Sequence, residues 1–245
     1  MGISTTRWWK SYYYNERGIM PNWCNTRMTI TGSKEECERF VAGVHHEEVE
    51  EKTYDWTTSP ATETGTKMVT HLSIFRGYLP CPQELYEVTA PIKEEQAELV
   101  EKMLEKYGAH NWYDWQHQNW GVKWGDCHTC VIDESDNELP DGSYKVDYQF
   151  DTPWGTADDA FLKISAMFPT LRFDFFHDEE AGFFQGCQVM KNGELVYERY
   201  FTPCDYKVEA PDWDSPEYDK WSEDHSEWRE AEQFKIDCEV DKVVC

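Results

Sequence analysis

Positive charge is what this chain has least of. Lysine and arginine together number 23 against 48 aspartates and glutamates, leaving a formal charge of −25 at neutral pH. Nucleic acids and anionic membranes are bound by cations that displace counterions, so a field of this sign repels both. The charge suits solubility, and it equally suits an acidic face built for a basic partner in imitation of a nucleic acid. Long apolar runs are missing as well: no window of the chain approaches the roughly 20 apolar residues that span a bilayer. The N-terminal run Trp8–Tyr14 is interrupted by Lys10 and Ser11, so no signal-peptide core forms there. These absences predict a cytoplasmic protein. The common phosphate-cradle and hydrolase signatures G-x-x-x-x-G-K-[ST], G-x-G-x-x-G, G-x-S-x-G and H-E-x-x-H are absent too. The nine cysteines are odd in number and irregularly spaced, which in a reducing compartment means buried small hydrophobes or free thiols and not a disulfide frame.

Aromatic surface, by contrast, is plentiful: 16% of residues are Phe, Trp or Tyr within a 40% hydrophobic total, enough for a packed core. The densest stretch is Asn111–Trp124, N-W-Y-D-W-Q-H-Q-N-W-G-V-K-W, which holds Trp112, Trp115, Trp120 and Trp124, four of the 12 tryptophans. A buried indole needs an acceptor for its N–H, and Asn111, Asp114, Gln116, Gln118 and Asn119 supply acceptors locally. The segment is too polar for an ordinary strand and too aromatic for an ordinary loop. It reads as the roof of a core or the floor of a recognition site, and one set of rings can serve both.

Periodicity orders the rest. Asn25–Thr31 alternates like a strand, with Met28 and Ile30 on one face. Ser33-Lys34-Glu35-Glu36 fits a capping box for a helix whose face carries Cys37, Phe40, Val41 and Val44. His45–Lys67 reads as a polar loop, and Val69–Leu79 as a second strand. Ile92–Tyr107 is an amphipathic helix stopped by Gly108, preceded by a loop with a short helical turn. Thr129–Asp133 is strand-like and Pro140-Asp141-Gly142 forms a turn within Asp136–Gly142. Tyr144–Thr152 alternates strictly. Thr156 is placed to cap a helix with core face Ala160, Phe161, Ile164, Met167 and Phe168, ended by Pro169. Leu171–His177 is another strand, and Gly182–Met190 with Glu194–Thr202 forms a hairpin around Asn192-Gly193. Residues 205–245 carry 14 acids and five bases around Trp213, Tyr218, Trp221 and Trp228, an acidic helical tail that packs its aromatics on the domain or presents them to a partner.

Three candidate chemistries stay open at this level. Cys127-His128-Thr129-Cys130 is a single C-x-x-C, which needs partners such as His117 and Cys187 to hold a metal. His45-His46-Glu47-Glu48 reads as a solvated helix end in preference to a metal site. His117 and His177 are candidate general bases without an identifiable nucleophile.

Three motifs in order carry a resemblance: Met20-Pro21-Asn22-Trp23-Cys24-Asn25 before a strand, the tryptophan block at 111–124, and F-D-T-P-W-G-T…F-P-T-L-R-F at 150–173. Together they resemble the YubB ferredoxin-like family of bacteriophage and conjugative-plasmid proteins, over roughly Met20 to Thr202. The resemblance implies an α+β protein with a ferredoxin-like α/β plait, where "ferredoxin-like" names a fold and no iron–sulfur cluster. It implies no catalytic residue and no cofactor.

The expected organisation is an aromatic extension over 1–19, a ferredoxin-like domain over 20–204 with an insertion at 92–124, an added hairpin, and an acidic segment over 205–245. The expected function is a non-enzymatic phage or plasmid accessory protein that binds and inhibits a host protein in anti-phage or anti-foreign-DNA defence. Trp112, Tyr113, Trp115, Asn119, Trp120, Lys123 and Trp124, together with Glu217, Asp219, Glu223, Asp224 and Glu227, are the candidate contact residues. The alternatives are an aromatic pocket near Trp112, Trp115 and Trp120 that sequesters a nucleotide-type signal, and an enzyme whose site the sequence does not reveal. No metal, membrane or direct nucleic-acid partner is expected.

Overall fold

The computed structural model describes residues 21–55, 57–133 and 137–243. The aromatic extension over 1–19, Asp136 and Cys245 lie outside the described residues. The strands are β1 (Trp23–Gly32), β2 (His45–Asp55), β3 (Thr62–Ser73), β4 (Cys127–Asp133), β5 (Tyr144–Pro153), β6 (Arg172–Glu179), β7 (Gln185–Lys191) and β8 (Glu194–Phe201). The helices are α1 (Lys34–Gly43), α2 (Ile74–Tyr78), α3 (Ala97–Tyr107), α4 (Trp112–Trp120), α5 (Asp158–Met167) and α6 (Tyr218–Val240). The strands form one sheet in the order β2-β3-β4-β5-β1-β6-β7-β8.

Within it, β1-α1-β4-β5-α5-β6 is the ferredoxin-like plait, with strand order β4-β5-β1-β6 and antiparallel pairing throughout. The β2–β3 hairpin and α2 to α4 are inserted between α1 and β4, so the elaboration begins at His45 and contains 92–124 within it. The β7–β8 hairpin extends the other edge.

Alternation on β1 and β6 sorts the layers. Met28, Ile30, Phe173 and Phe175 face α1 and α5 in one buried cluster with Phe40, Phe161 and Ile164. The opposite positions Arg172 and Asp178 face α6. Asp178 pairs with Arg229 at 2.9 Å, while Arg172 donates to the carbonyls of Val240 and Val243 at the C-terminal end of that helix. Ile236 is the one fully buried apolar residue of α6. Its aromatics do pack on the domain: Trp228 stands edge-on to Phe201 at 5.6 Å, and His225 stacks between Trp221 and Trp228 under Tyr206. The exceptions are Phe234 on the outer face of that helix, at 68% exposed, and Trp213 ahead of it, at 81%.

Four expectations need correction. His45–Lys67 is not a loop: most of it lies in β2 and in the first half of β3, where side chains bridge the strands as in Lys52–Glu63 (2.8 Å) and Thr66–Glu50 (2.6 Å). Both faces of this hairpin are largely solvated, so no apolar alternation marks it. The predicted strand Val69–Leu79 ends at Ser73, where the chain turns into α2 with the Ser73 hydroxyl accepting from the Arg76 amide. The α5 cap is Ala157 and not Thr156, because the carbonyl of buried Ala157 accepts the Ala160 and Phe161 amides. Met167 and Val41, assigned to core faces, are exposed.

One polar group sits deep in the core. Thr26, on β1, donates its hydroxyl to His177 Nδ1 at 3.0 Å if the Nε2 proton points to Gln188 Oε1 at 3.1 Å, the tautomer this network selects. Gln188 in turn donates to Asp158 at 3.1 Å. Burial pushes His177 down to about 4, so the folded protein holds it neutral. Its folded value lies below the unfolded one, so the unfolded chain takes up a proton first as pH falls. Stability is therefore lost between about pH 6.5 and about pH 4. At about 1.4 kcal/mol per unit the loss is about 3 kcal/mol. Urea unfolding of wild type and His177→Gln across this range is expected to show the variant losing about that much less; parallel curves would refute the assignment.

Candidate recognition site

The tryptophan block divides into a buried part and an exposed part. Its Asn111 side chain accepts the Asp114 amide and starts α4, and Gly121 ends it in the left-handed conformation. Trp120 is buried, donates its indole N–H to the Leu79 carbonyl at 2.9 Å and meets Phe75 at 5.5 Å. Trp115 stands edge-on to Trp120 at 5.6 Å, and Asn119 accepts from Lys163 at 3.0 Å. These three residues join α4 to the plait, and Trp115 and Trp120 leave no slot between them for a planar ligand.

Trp112, Tyr113, Lys123 and Trp124 instead form a half-buried strip, open to solvent at Tyr113 and backed at Trp112 by the cluster of Leu85, Val88 and Met103. The Lys123 ammonium lies 4.0 Å over the Trp124 ring, 5.7 Å from Tyr113 and 6.0 Å from Trp112. Partial burial among the rings pulls Lys123 below its usual value, while the ring faces attract its charge. Trp112 stacks on Tyr86 at 6.0 Å with planes 4° apart, and Trp124 meets Trp154 at 5.8 Å and 35°. The outer members Tyr86, Tyr113 and Trp154 are 46%, 39% and 47% exposed.

The backbone beneath the strip is strained. Four described non-glycine residues have positive φ, and three of them are Trp124 (70°), His128 (55°) and Trp154 (64°). Bulky residues avoid this region and persist there only when their surroundings hold them. Buried Gln116 holds Trp124, accepting its amide at 3.0 Å while donating to the Tyr86 hydroxyl at 3.0 Å. The Asn22 carbonyl takes the Trp154 amide at 2.7 Å. His128 is fixed by Asp151 at 3.0 Å and by the edge of Trp23 at 5.6 Å. Trp124 and Trp154 precede β4 and follow β5, so pairing of those strands brings their rings together.

Beside Trp124 opens a groove of about 360 Å³ between the β2–β3 hairpin and β4, bordered by His45, His71, Arg76, Trp124 and His128. Its base is a closed knot around Asp126. That buried carboxylate accepts from Ser73 Oγ (2.8 Å), the Ile74 amide (2.6 Å), the Phe75 amide (3.2 Å) and Thr129 Oγ1 (2.9 Å). Burial pushes its pKa up and the four donors pull it back.

The remaining sequence candidates lie elsewhere. Glu217, Asp219, Glu223, Asp224 and Glu227 are all exposed around the start of α6, which rests on β7 and β8. From β4 to β7 is four steps along the sheet order, roughly 19 Å at about 4.8 Å per strand, so the two predicted sets do not form one site. Cys127 and Cys130 lie in β4, His117 on the exposed face of α4 and Cys187 on β7 against α6, so neither His117 nor Cys187 is brought to the tetrad. Among the described residues no group of three His, Cys, Asp or Glu is placed to hold a metal ion. His45 and Glu47 belong to a strand and not to a helix end, and Glu47 pairs with Arg76 at 3.0 Å. From sequence, Trp154, His71 and Arg76 are given no contact role, and His128 is met only within the Cys127–Cys130 tetrad. Pro153-Trp154-Gly155 enters the sequence reading within the F-D-T-P-W-G-T motif, and nothing in a sequence announces a tryptophan in the left-handed region. No described helix is long and apolar enough to cross a membrane.

Residues 128–235, from β4 into α6, match the family model described as the ferredoxin-like domain in Api92-like protein. No curated protein matches the chain. Among solved structures, the crystal structure of a protein api92 from Yersinia pseudotuberculosis is similar over 78% of this chain and 100% of that one, with 12% identity and a TM-score of 0.40.

Asp126→Ala would strand two buried amides and two hydroxyls. It is expected to cost on the order of 3–5 kcal/mol in urea unfolding, and a loss below about 1 kcal/mol would show that the knot does not anchor the insertion.

Proposed function

We propose that the chain is a non-catalytic binding protein that engages a protein partner through the Tyr113–Lys123–Trp124–Trp154 strip. The observation that carries this reading is Trp154, half exposed, on left-handed backbone and seated against Trp124. Exposed indoles and phenols concentrate binding energy at protein interfaces, and backbone strain of this kind is retained where it positions a side chain for use. The geometry favours a protein contact over a nucleobase sandwich. At 5.8 Å and 35° the Trp124 and Trp154 rings have no space for a third ring between them, and Lys123 already lies over Trp124.

The partner is basic. A chain of charge −25 attracts it at long range and speeds encounter, while the strip supplies short-range affinity. The exposed carboxylates of α6, among them Asp219, Glu223 and Glu227, add to that field from a separate part of the surface. The resemblance to YubB proteins of phages and conjugative plasmids supports a finer version: an accessory protein acting in the bacterial cytoplasm, inhibiting a host protein of defence against foreign DNA.

The test is a pull-down from bacterial lysate with wild type, Tyr113→Ala/Trp154→Ala and Asp219→Asn/Glu223→Gln/Glu227→Gln, followed by affinity measurement on the retained protein. Loss of the two rings is expected to weaken binding at least about thirty-fold, about 2 kcal/mol, at low and high salt alike. Neutralising α6 is expected to slow association and flatten the salt dependence with a smaller loss of affinity. A partner retained equally by wild type and the ring variant would remove the strip from the interface.

A further inference from the structure

We infer that the open edge of β3 takes up an extended segment of a basic partner protein as an added strand. The inference rests on the proposal that the partner is a basic protein and names how that partner is held; it does not depend on Tyr113 or Trp154.

The edge follows from the topology. β2 pairs with β3 along the length of both strands. On its other side β3 meets β4 through a single registered pair, Leu72 with Thr129, although the two are neighbours in the sheet order. Away from that pair no strand of the described residues lies against β3 on this side. The closed end of the fork is fixed, because the Asp126 knot ties α2 to the start of β4. An edge of this kind presents a row of backbone donors and acceptors that templates a further strand. Sheets guard such edges with proline, bulges or repeated lysines. From Gly65 to Leu72, β3 has no proline and a single lysine, and its one register shift against β2 lies ahead of Gly65. Thr66, Val69 and Thr70 are β-branched and suit extended backbone.

Charge selects the occupant. β2 and β3 together carry six carboxylates against two lysines. Glu47 and Glu63 pair with Arg76 and Lys52, and Glu51 meets His71. Glu48 and Glu50 have no cation among the described residues: they accept the hydroxyls of Thr70 at 2.5 Å and Thr66 at 2.6 Å. Both share one face of the hairpin, with those two threonines between them and the open edge. A strand added beside β3 lies two spacings from β2, roughly 10 Å, which a lysine or arginine reaching toward a glutamate spans. Alternate residues of that strand point to the other face, beside half-buried Val69 at the groove. The segment that fits therefore alternates basic and apolar side chains. A second copy of this chain fits poorly, since it would bring the same carboxylates together on a molecule of charge −25.

The experiment is titration of the full chain with three short peptides of equal length, alternating lysine with valine, lysine with proline, and glutamate with valine, with amide hydrogen exchange on each mixture. The lysine–proline peptide matches the charge, but every second residue lacks an N–H and cannot continue a ladder. The lysine–valine peptide is expected to bind at least about ten-fold tighter than it and to slow exchange between Gly65 and Leu72 of β3. The glutamate–valine peptide is expected not to bind. Glu48→Gln/Glu50→Gln is expected to weaken the lysine–valine peptide at least about ten-fold and to flatten its salt dependence. Both side chains are exposed, so an unchanged unfolding midpoint separates lost contacts from lost fold. Tyr113→Ala/Trp154→Ala is expected to leave peptide binding unchanged, whatever it does to partner capture, so the strip and the edge stand or fall separately. Equal affinity for the lysine–proline peptide, unaltered exchange in β3, or no saturable binding overturns the inference. Protection of β3 in the chain alone, growing with concentration, assigns the edge to a second copy and overturns it too.

Discussion

β1 is hydrogen-bonded along both edges, to β5 on one side and β6 on the other, and the molecule takes its layering from that strand. With a side-chain period of two, a slip of one residue would exchange the two faces entirely. In the observed register Met28 and Ile30 face α1 and α5 with Phe173 and Phe175. Asn25 and Thr29 face the other way, between Asp151 and Asp178 and between Asp147 and Asp174 respectively. The helical layer is therefore apolar and the opposite face is a lattice of carboxylates. Everything outside the plait is attached to one of these two surfaces or to the sheet edges.

That lattice explains where part of the scarce positive charge is placed. Asp147 is paired with Lys145 at 3.1 Å, Asp174 with Arg172 and Asp178 with Arg229, while Asp151 meets the His128 ring nitrogen at 3.0 Å. Two of these cations also hold α6 against the sheet. Arg229 belongs to that helix, and Arg172 caps its C-terminal carbonyls, where the helix dipole favours a cation. α6 buries one apolar residue completely, so its docking depends on these polar contacts, on the Arg199–Glu239 pair and on aromatic packing around Trp221 and Trp228.

The insertion supplies what the plait alone lacks, namely concave and aromatic surface. The one-bridge junction between β3 and β4 creates the groove, and the Asp126 knot keeps it open at a fixed width. Buried Gln116 links α4, Tyr86 and the Trp124 backbone, so the groove wall and the strip share one anchor. The two surfaces meet at Trp124 and differ in chemistry: imidazoles and one guanidinium paired with carboxylates line the groove, whereas stacked rings around one ammonium form the strip.

Most elements of the plait and its added hairpin are legible in local patterns of the chain. Met28 and Ile30 on a strand, Cys37 and Phe40 on a capped helix, Val146 to Phe150, and the Asn192-Gly193 hairpin each carry a periodicity or turn signal, and each stands as read. Such signals persist because burial of one face imposes the period directly on the chain. The β2–β3 hairpin emerges only in the folded molecule, since its two solvated faces leave no period to read. Packing also separates Trp115 and Trp120, which join the main core, from Trp112, which packs on the smaller cluster of Leu85, Val88 and Met103, because that division depends on what α4 meets. The contact of Trp124 with Trp154, and the place of His71, Arg76 and His128 around one groove, bring together residues distant in the chain. No spacing rule encodes such neighbours, and backbone strain at a tryptophan leaves no compositional trace.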